Sequence, residues 1–90
     1  MMTEYEVELL EDAKREMGRL DISIGRRVLK RLHWLRQNLD SITPQALTGN
    51  LTGLYKLRIG DYRVVYEIIR NERLILVHSV GHRRDVYRRK

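Results

Sequence analysis

The dipeptide Gly60–Asp61 divides two stretches of alternating apolar and polar residues, and no other feature constrains the fold of this chain as strongly. A two-residue loop with glycine first suits a type II′ hairpin turn, whose twist matches that of two antiparallel strands. The turn sets the register, with Ile59 facing Tyr62. Counting outward pairs Arg58 with Arg63, Leu57 with Val64, Lys56 with Val65 and Tyr55 with Tyr66. Side chains alternate across a strand, so Tyr55, Leu57, Ile59, Tyr62, Val64 and Tyr66 share one face, suited to packing on helices. Lys56, Arg58 and Arg63 share the other.

Around this hairpin the pattern predicts three β-rich segments, about 54–59, 62–69 and 73–80. Leu74 to Val80 is apolar on both faces apart from His78 and Ser79, which predicts a central strand. Simple alternation puts His78 on the face of Val80, as a hydrogen-bonded histidine in a largely apolar strand. Near the N-terminus, Tyr5 to Leu9 alternates apolar and acidic residues like a half-exposed edge strand. Leu10, Ala13, Met17 and Leu20 then recur at helical spacing, predicting a short amphipathic helix from about residue 9. Asp21 or Ser23 can cap a second helix, whose stripe is Ile24, Val28, Leu32, Leu35 and Leu39. Its other side carries Arg26, Arg27, Lys30 and Arg36, and Trp34 beside the stripe reads as packing. Ser41–Ile42–Thr43–Pro44 reads as a turn, followed by a loop from Gln45 to Asn50. The predicted class is α+β: an N-terminal strand and two-helix hairpin packed on a twisted antiparallel sheet, in one domain over residues 1–90.

Ninety residues accommodate one modest core. With no cysteine, disulfides, thiolate metal sites and cysteine nucleophiles are excluded together. No stretch approaches the roughly 20 apolar residues of a membrane span. The start, MMTEYEVELLED, is acidic where a signal peptide is basic and then apolar, so a cytoplasmic location is expected. The net charge is +6, yet residues 1–21 hold seven acids against three bases, a balance of −4, which leaves +10 for the remainder. This asymmetry predicts a polyanionic partner bound by the later segments.

Like charges directly opposite in a ladder, as Arg58 and Arg63 are, destabilise it by up to about 1 kcal/mol. A bound phosphate offsets this, because converging Lys and Arg donors make charge-assisted bonds about twice as strong as neutral ones. Splaying into water, or pairing with Glu67 on the same face, is the alternative. His33, His78 and His82 lack metal-ligand spacing, and no nucleophile motif or phosphate loop appears, so no metal and no cofactor is expected. RNA carries its own nucleophile, the 2′-hydroxyl, and needs only orientation, charge stabilisation and proton transfer. The tail GHRRDVYRRK supplies more cations, and a turn at Gly81 brings Arg83 and Tyr87 over the cationic face. Tyr87 can act as base, its phenolate fraction raised by neighbouring cations, or stack on a nucleobase. His82 beside Arg83 can act as acid or base.

The segments YKLRIGDYRVVYEI and SVGHRRDVYRR resemble the RelE branch of the RelE/ParE toxins of bacterial and archaeal toxin–antitoxin systems, and the likeness covers essentially the whole chain. It implies a toxin that cleaves messenger RNA in the ribosomal A site without metal, leaving a 2′,3′-cyclic phosphate. The implied partners are the 70S-type ribosome, mRNA and an acidic RelB-like antitoxin that wraps around the toxin. By motif position, Lys56 and Arg58 fall where two basic residues stabilise the phosphate and help activate the 2′-hydroxyl; Arg58 stands where the best-known members have lysine. Arg63 matches the arginine that holds the scissile phosphate, Arg83 the second catalytic arginine, and Tyr87 the base or stacking group. His82, Arg84, Arg88 and Arg89 are the further RNA-binding candidates. Only three residues separate Arg83 from Tyr87, fewer than in some RelE toxins. The alternatives are a ParE-like inhibitor of DNA gyrase, which shares the fold, and a non-catalytic RNA-binding module.

Overall fold

The computed structural model describes residues 4–86. Strand β1 (Glu6–Leu9) leads into helices α1 (Glu11–Gly18) and α2 (Ile22–Asn38). Strands β2 (Gln45–Ala46), β3 (Tyr55–Ile59), β4 (Tyr62–Ile69) and β5 (Leu74–His82) follow, and a short helix α3 (Arg83–Val86) closes the described chain. The strands form one sheet in the order β1-β5-β4-β3-β2. The α+β class holds, and β5 is interior as its two apolar faces predict.

The hairpin register is the one counted from the sequence, from Ile59 opposite Tyr62 to Tyr55 opposite Tyr66. Gly60 adopts φ 59° while Asp61 has no positive φ, the pattern of a II′ turn. The sheet departs from expectation in two places. It is mixed rather than antiparallel throughout, because β1 pairs in parallel with β5, Glu6 opposite Leu74 through Leu9 opposite Val77. A parallel neighbour requires a long connection, and the chain between β1 and β5 supplies one. The segment expected as a loop from Gln45 contains β2, which pairs with Tyr55 and Lys56. Two residues show no alternation, so only their partners reveal them as a strand.

Both helices pack on one sheet face. Val28, Leu32, Leu35 and Leu39 meet Leu57, Ile59, Val64, Tyr66, Ile75, Val77 and Val80 in a single buried cluster that also takes in Tyr5 and Ala13. At the start of the apolar stripe of α1, Leu10 is exposed. Asp21 occupies the N-cap of α2 without a side-chain hydrogen bond; its backbone carbonyl accepts from Gly25 N at 2.9 Å. Trp34 is not packed as the sequence suggested. It is 37% exposed, with the Arg31 guanidinium 4.6 Å above its ring. Arg36 ties α2 to the start of β1, donating through Nε to the Tyr5 carbonyl at 2.9 Å.

Gly60 and Tyr66 yield two expected outcomes. Gly60→Ala forces a side chain into the left-handed region and lowers stability by about 1–2 kcal/mol, read from urea unfolding. Tyr66 is almost fully buried, and burial, with a smaller effect of Tyr55, pushes its phenol up to about 12. A folded-state value above the unfolded one near 10 means that the folded chain keeps a proton the unfolded chain releases. Stability therefore falls as pH rises from about 10 towards 12, and Tyr66→Phe flattens that fall in denaturant titrations across the range.

Candidate functional site

The face of the sheet away from the helices carries the candidate residues, and one irregularity rearranges it. Val65 pairs with Ser79 and Tyr66 with Val77, so His78 is the extra residue of a β-bulge. Val80 stays on the helix side, while His78 turns to the open face and places Nε2 2.9 Å from Glu67 Oε1. This corrects the expectation that His78 shares the face of Val80. Period-two counting fails wherever a bulge adds a residue, and the sequence around His78 carries no glycine to announce one. The pair also gives Glu67 a partner other than the three cations.

Lys56 is half-buried and starts a row across the sheet, Lys56–Val65–Ser79. Arg58 and Arg63 face each other as predicted, yet their side chains part. Arg63 is 9% exposed, and its NH1 donates to the carbonyls of Gly60 at 2.7 Å and Tyr62 at 2.9 Å. Arg58 is exposed at the sheet edge that β2 does not reach. With Arg27, Lys30 and Arg31 of α2 it lines an open groove of about 360 Å³. None of these four cations forms an ion pair among the described residues. Such a groove attracts polyanions.

Gly81 does not turn the chain. It lies in β5 opposite Arg63, and Val86 packs over it, within 3.9 Å of where a Cβ would stand. The chain turns after His82, where Arg83 begins α3. Arg83 N donates to the Asp61 carbonyl at 2.8 Å, and its Nε lies 4.0 Å from Asp61 Oδ1. Two candidate arginines, Arg63 and Arg83, are thus both tethered to the Gly60–Asp61 loop. His82 sits opposite Tyr62, ring centroids 5.5 Å apart and edge-on. That pairing puts His82 on the helix side of the sheet, away from Lys56 and Arg63. Its Nδ1 accepts from Arg84 N at 3.2 Å, and the Arg84 side chain is exposed. Tyr87, Arg88 and Arg89 lie outside the described residues. Beside the row Lys56–Val65–Ser79 opens a largely apolar cavity of about 330 Å³, bordered by Leu10, Leu54, Val65, His78, Ser79 and Val86.

Glu16 fixes the end of β5. β1 stops opposite Val77, and further along the carboxylate of Glu16 takes over. Its Oε1 accepts from Val80 N at 2.8 Å and from Ser79 Oγ at 3.3 Å.

A small α+β scaffold with cations gathered about one hairpin is the class found among type II toxins, and comparison places the chain there. The family of ParE toxins of type II toxin–antitoxin systems, parDE, matches residues 7–87, and the chain belongs to this family, within the RelE/ParE superfamily. A putative RelE-like toxin protein of Escherichia coli is 34% identical over 87 residues, covering 92% of this chain and 90% of that protein. The isolated E. coli RelE toxin has a similar structure, with TM-score 0.71 and 28% identity over 87% of this chain and 83% of that one. The archaeal RelE–RelB complex from Pyrococcus horikoshii OT3 gives TM-score 0.71 at 26% identity, covering 94% of this chain and 100% of that one. The chain is therefore a toxin of a type II toxin–antitoxin system.

Glu16→Ala leaves the buried Val80 N–H without its acceptor, and the expected cost is about 1–3 kcal/mol in chemical denaturation. Hydrogen exchange of the Val80 amide should accelerate more than that of Ile75, which lies in the stretch β1 still covers.

Proposed function

We propose that this toxin is a ribosome-dependent, metal-independent endoribonuclease that cleaves mRNA in the A site through attack of the RNA 2′-hydroxyl. The observation that carries this reading is the tethering of Arg63 and Arg83 to one hairpin loop. The two arginines are distant in sequence, and the half-buried Lys56 stands on the same open face as Arg63. Arg63 is held by its guanidinium and Arg83 by its backbone N–H, which leaves the Arg83 side chain, 57% exposed, able to turn to a phosphate. Guanidinium donors placed where charge develops stabilise a pentacoordinate phosphate, usually the largest single contribution at such sites. Lys56 and Arg58 add charge towards the β3 edge, and Tyr87 supplies a phenol for stacking or proton transfer. The RelE proteins of E. coli and P. horikoshii have the same fold, and the archaeal one is complexed with RelB. A RelB-like acidic antitoxin is accordingly the proposed inhibitor, and the cytoplasm, where ribosomes are, the place of action.

Gyrase inhibition is the second reading, favoured by the match to ParE toxins over residues 7–87. One experiment separates them. Wild-type, Arg63→Ala and Tyr87→Phe chains are induced in cells, and transcript 5′ ends are mapped against the reading frame. The ribonuclease reading expects frame-registered ends for the wild type and a loss of about 100-fold or more for Arg63→Ala. Growth arrest with intact transcripts and inhibited DNA supercoiling would overturn it in favour of gyrase.

A further inference from the structure

The bulge in β5 creates a chemical group that neither the motif nor the cation set includes. We propose that His78, oriented by Glu67, is the general base that removes the 2′-hydroxyl proton of an RNA strand lying across the open sheet face. The inference rests on the ribonuclease reading and assigns that site a proton acceptor.

Glu67 can only accept when ionised, so Nε2 of His78 carries the hydrogen in their 2.9 Å contact. In the neutral imidazole the other nitrogen, Nδ1, then holds the lone pair that takes a proton. A carboxylate behind the ring also stabilises the imidazolium once formed, as in other acid–base pairs. The position fits the task. His78 adjoins Ser79, the far end of the row Lys56–Val65–Ser79. Neighbouring strands lie about 4.8 Å apart, so Lys56 and Ser79 are about 10 Å apart at the backbone, with the short side chain of Val65 between them. Val65 is only 3% exposed and forms the floor of the adjoining cavity, so the strand enters over the cavity rim, with its ribose at the partly open His78 ring and Lys56 beyond Val65 on β3. The cavity of about 330 Å³ bordered by His78 gives the sugar and base room. Both side chains of the pair are partly open to solvent, His78 at 32% and Glu67 at 40%.

The reaction balances without a co-reactant. Nδ1 takes the 2′-hydroxyl proton, the 2′-oxygen bonds to phosphorus and the P–O5′ bond breaks. The departing 5′-oxygen takes a proton from water, and the imidazolium returns its own to solvent. The products are a 2′,3′-cyclic phosphate and a 5′-hydroxyl. Around the ring stand Glu67 on β4, Glu8 on β1 sharing its face, and Glu11 and Asp12 at the cavity mouth on α1. Opposing them are Lys56 on β3 and Arg63 on β4. From α3, the cavity border receives Val86, which is apolar.

The test measures single-turnover cleavage of a labelled mRNA on programmed ribosomes across pH for wild type, His78→Ala and Glu67→Gln. Wild-type cleavage should accelerate with pH, as a reaction that depends on a free base does. His78→Ala should be slower by about 100-fold or more and lose that rise, and free imidazole should restore part of the rate through the vacated space. Glu67→Gln should slow cleavage less than His78→Ala and keep the rise, because the ring loses the carboxylate that orients it but remains present as the base. An unchanged rate and pH profile in His78→Ala overturns the role of His78 while the ribonuclease reading stands. A slow His78→Ala that keeps the rise and ignores imidazole marks a structural residue and overturns it equally. No cleavage by the wild type overturns both.

Discussion

Arg58 and Arg63 are held directly opposite each other by the Gly60–Asp61 turn, and much of the molecule is arranged around that juxtaposition. The cross-strand repulsion is worth up to about 1 kcal/mol, whereas one hydrogen bond from a charged group contributes about 1.5–3 kcal/mol. The hairpin resolves the conflict internally. Arg63 turns its NH1 to two carbonyls of its own loop, and Arg58 swings to the open edge beside α2. A bound anion is thus not required to hold the hairpin together. What the hairpin does hold, through the Asp61 carbonyl, is Arg83.

Delivery of Arg83 depends on β5. Over its first half the strand is gripped on both sides, by β1 in parallel and β4 antiparallel. Where β1 ends the bulge begins, and Glu16 becomes the acceptor for Val80. The strand continues through Gly81, which Val86 covers, and hands Arg83 to the Asp61 carbonyl. A helix carboxylate thereby replaces a missing strand at the place where the candidate site needs rigidity. The bulge has a further effect, because it turns His78 towards Glu67.

Charge is distributed as a toxin with polyanionic partners would need. The acids gathered in residues 1–21 lie mainly on β1 and α1, and cations dominate α2, the hairpin and α3. The groove shared by Arg27, Lys30, Arg31 and Arg58 extends the positive field from the hairpin round the sheet edge. Over a Debye length of about 8 Å at physiological salt, such neighbouring charges act together on any approaching polyanion.

The sequence by itself determined the α+β class, the two helices, the interior place of β5 and the full hairpin register. Each follows from local periodicity and one glycine-led turn. The motif with its cations pointed to the toxin superfamily in the same way. Tertiary structure decided what periodicity has no means to encode. The parallel pairing of β1 and the two-residue β2 exist only through their partners. The bulge breaks alternation at His78, and Gly81 continues β5 where a turn was expected. Trp34 sits beside the stripe of α2 yet is exposed, because the core beneath is filled by Val28, Leu32 and Leu35. Lys56, Arg58 and Arg63 were legible as one face, since Cβ direction follows from strand geometry. Where their long side chains end was not legible, because that depends on which carbonyls and grooves the folded chain places within reach.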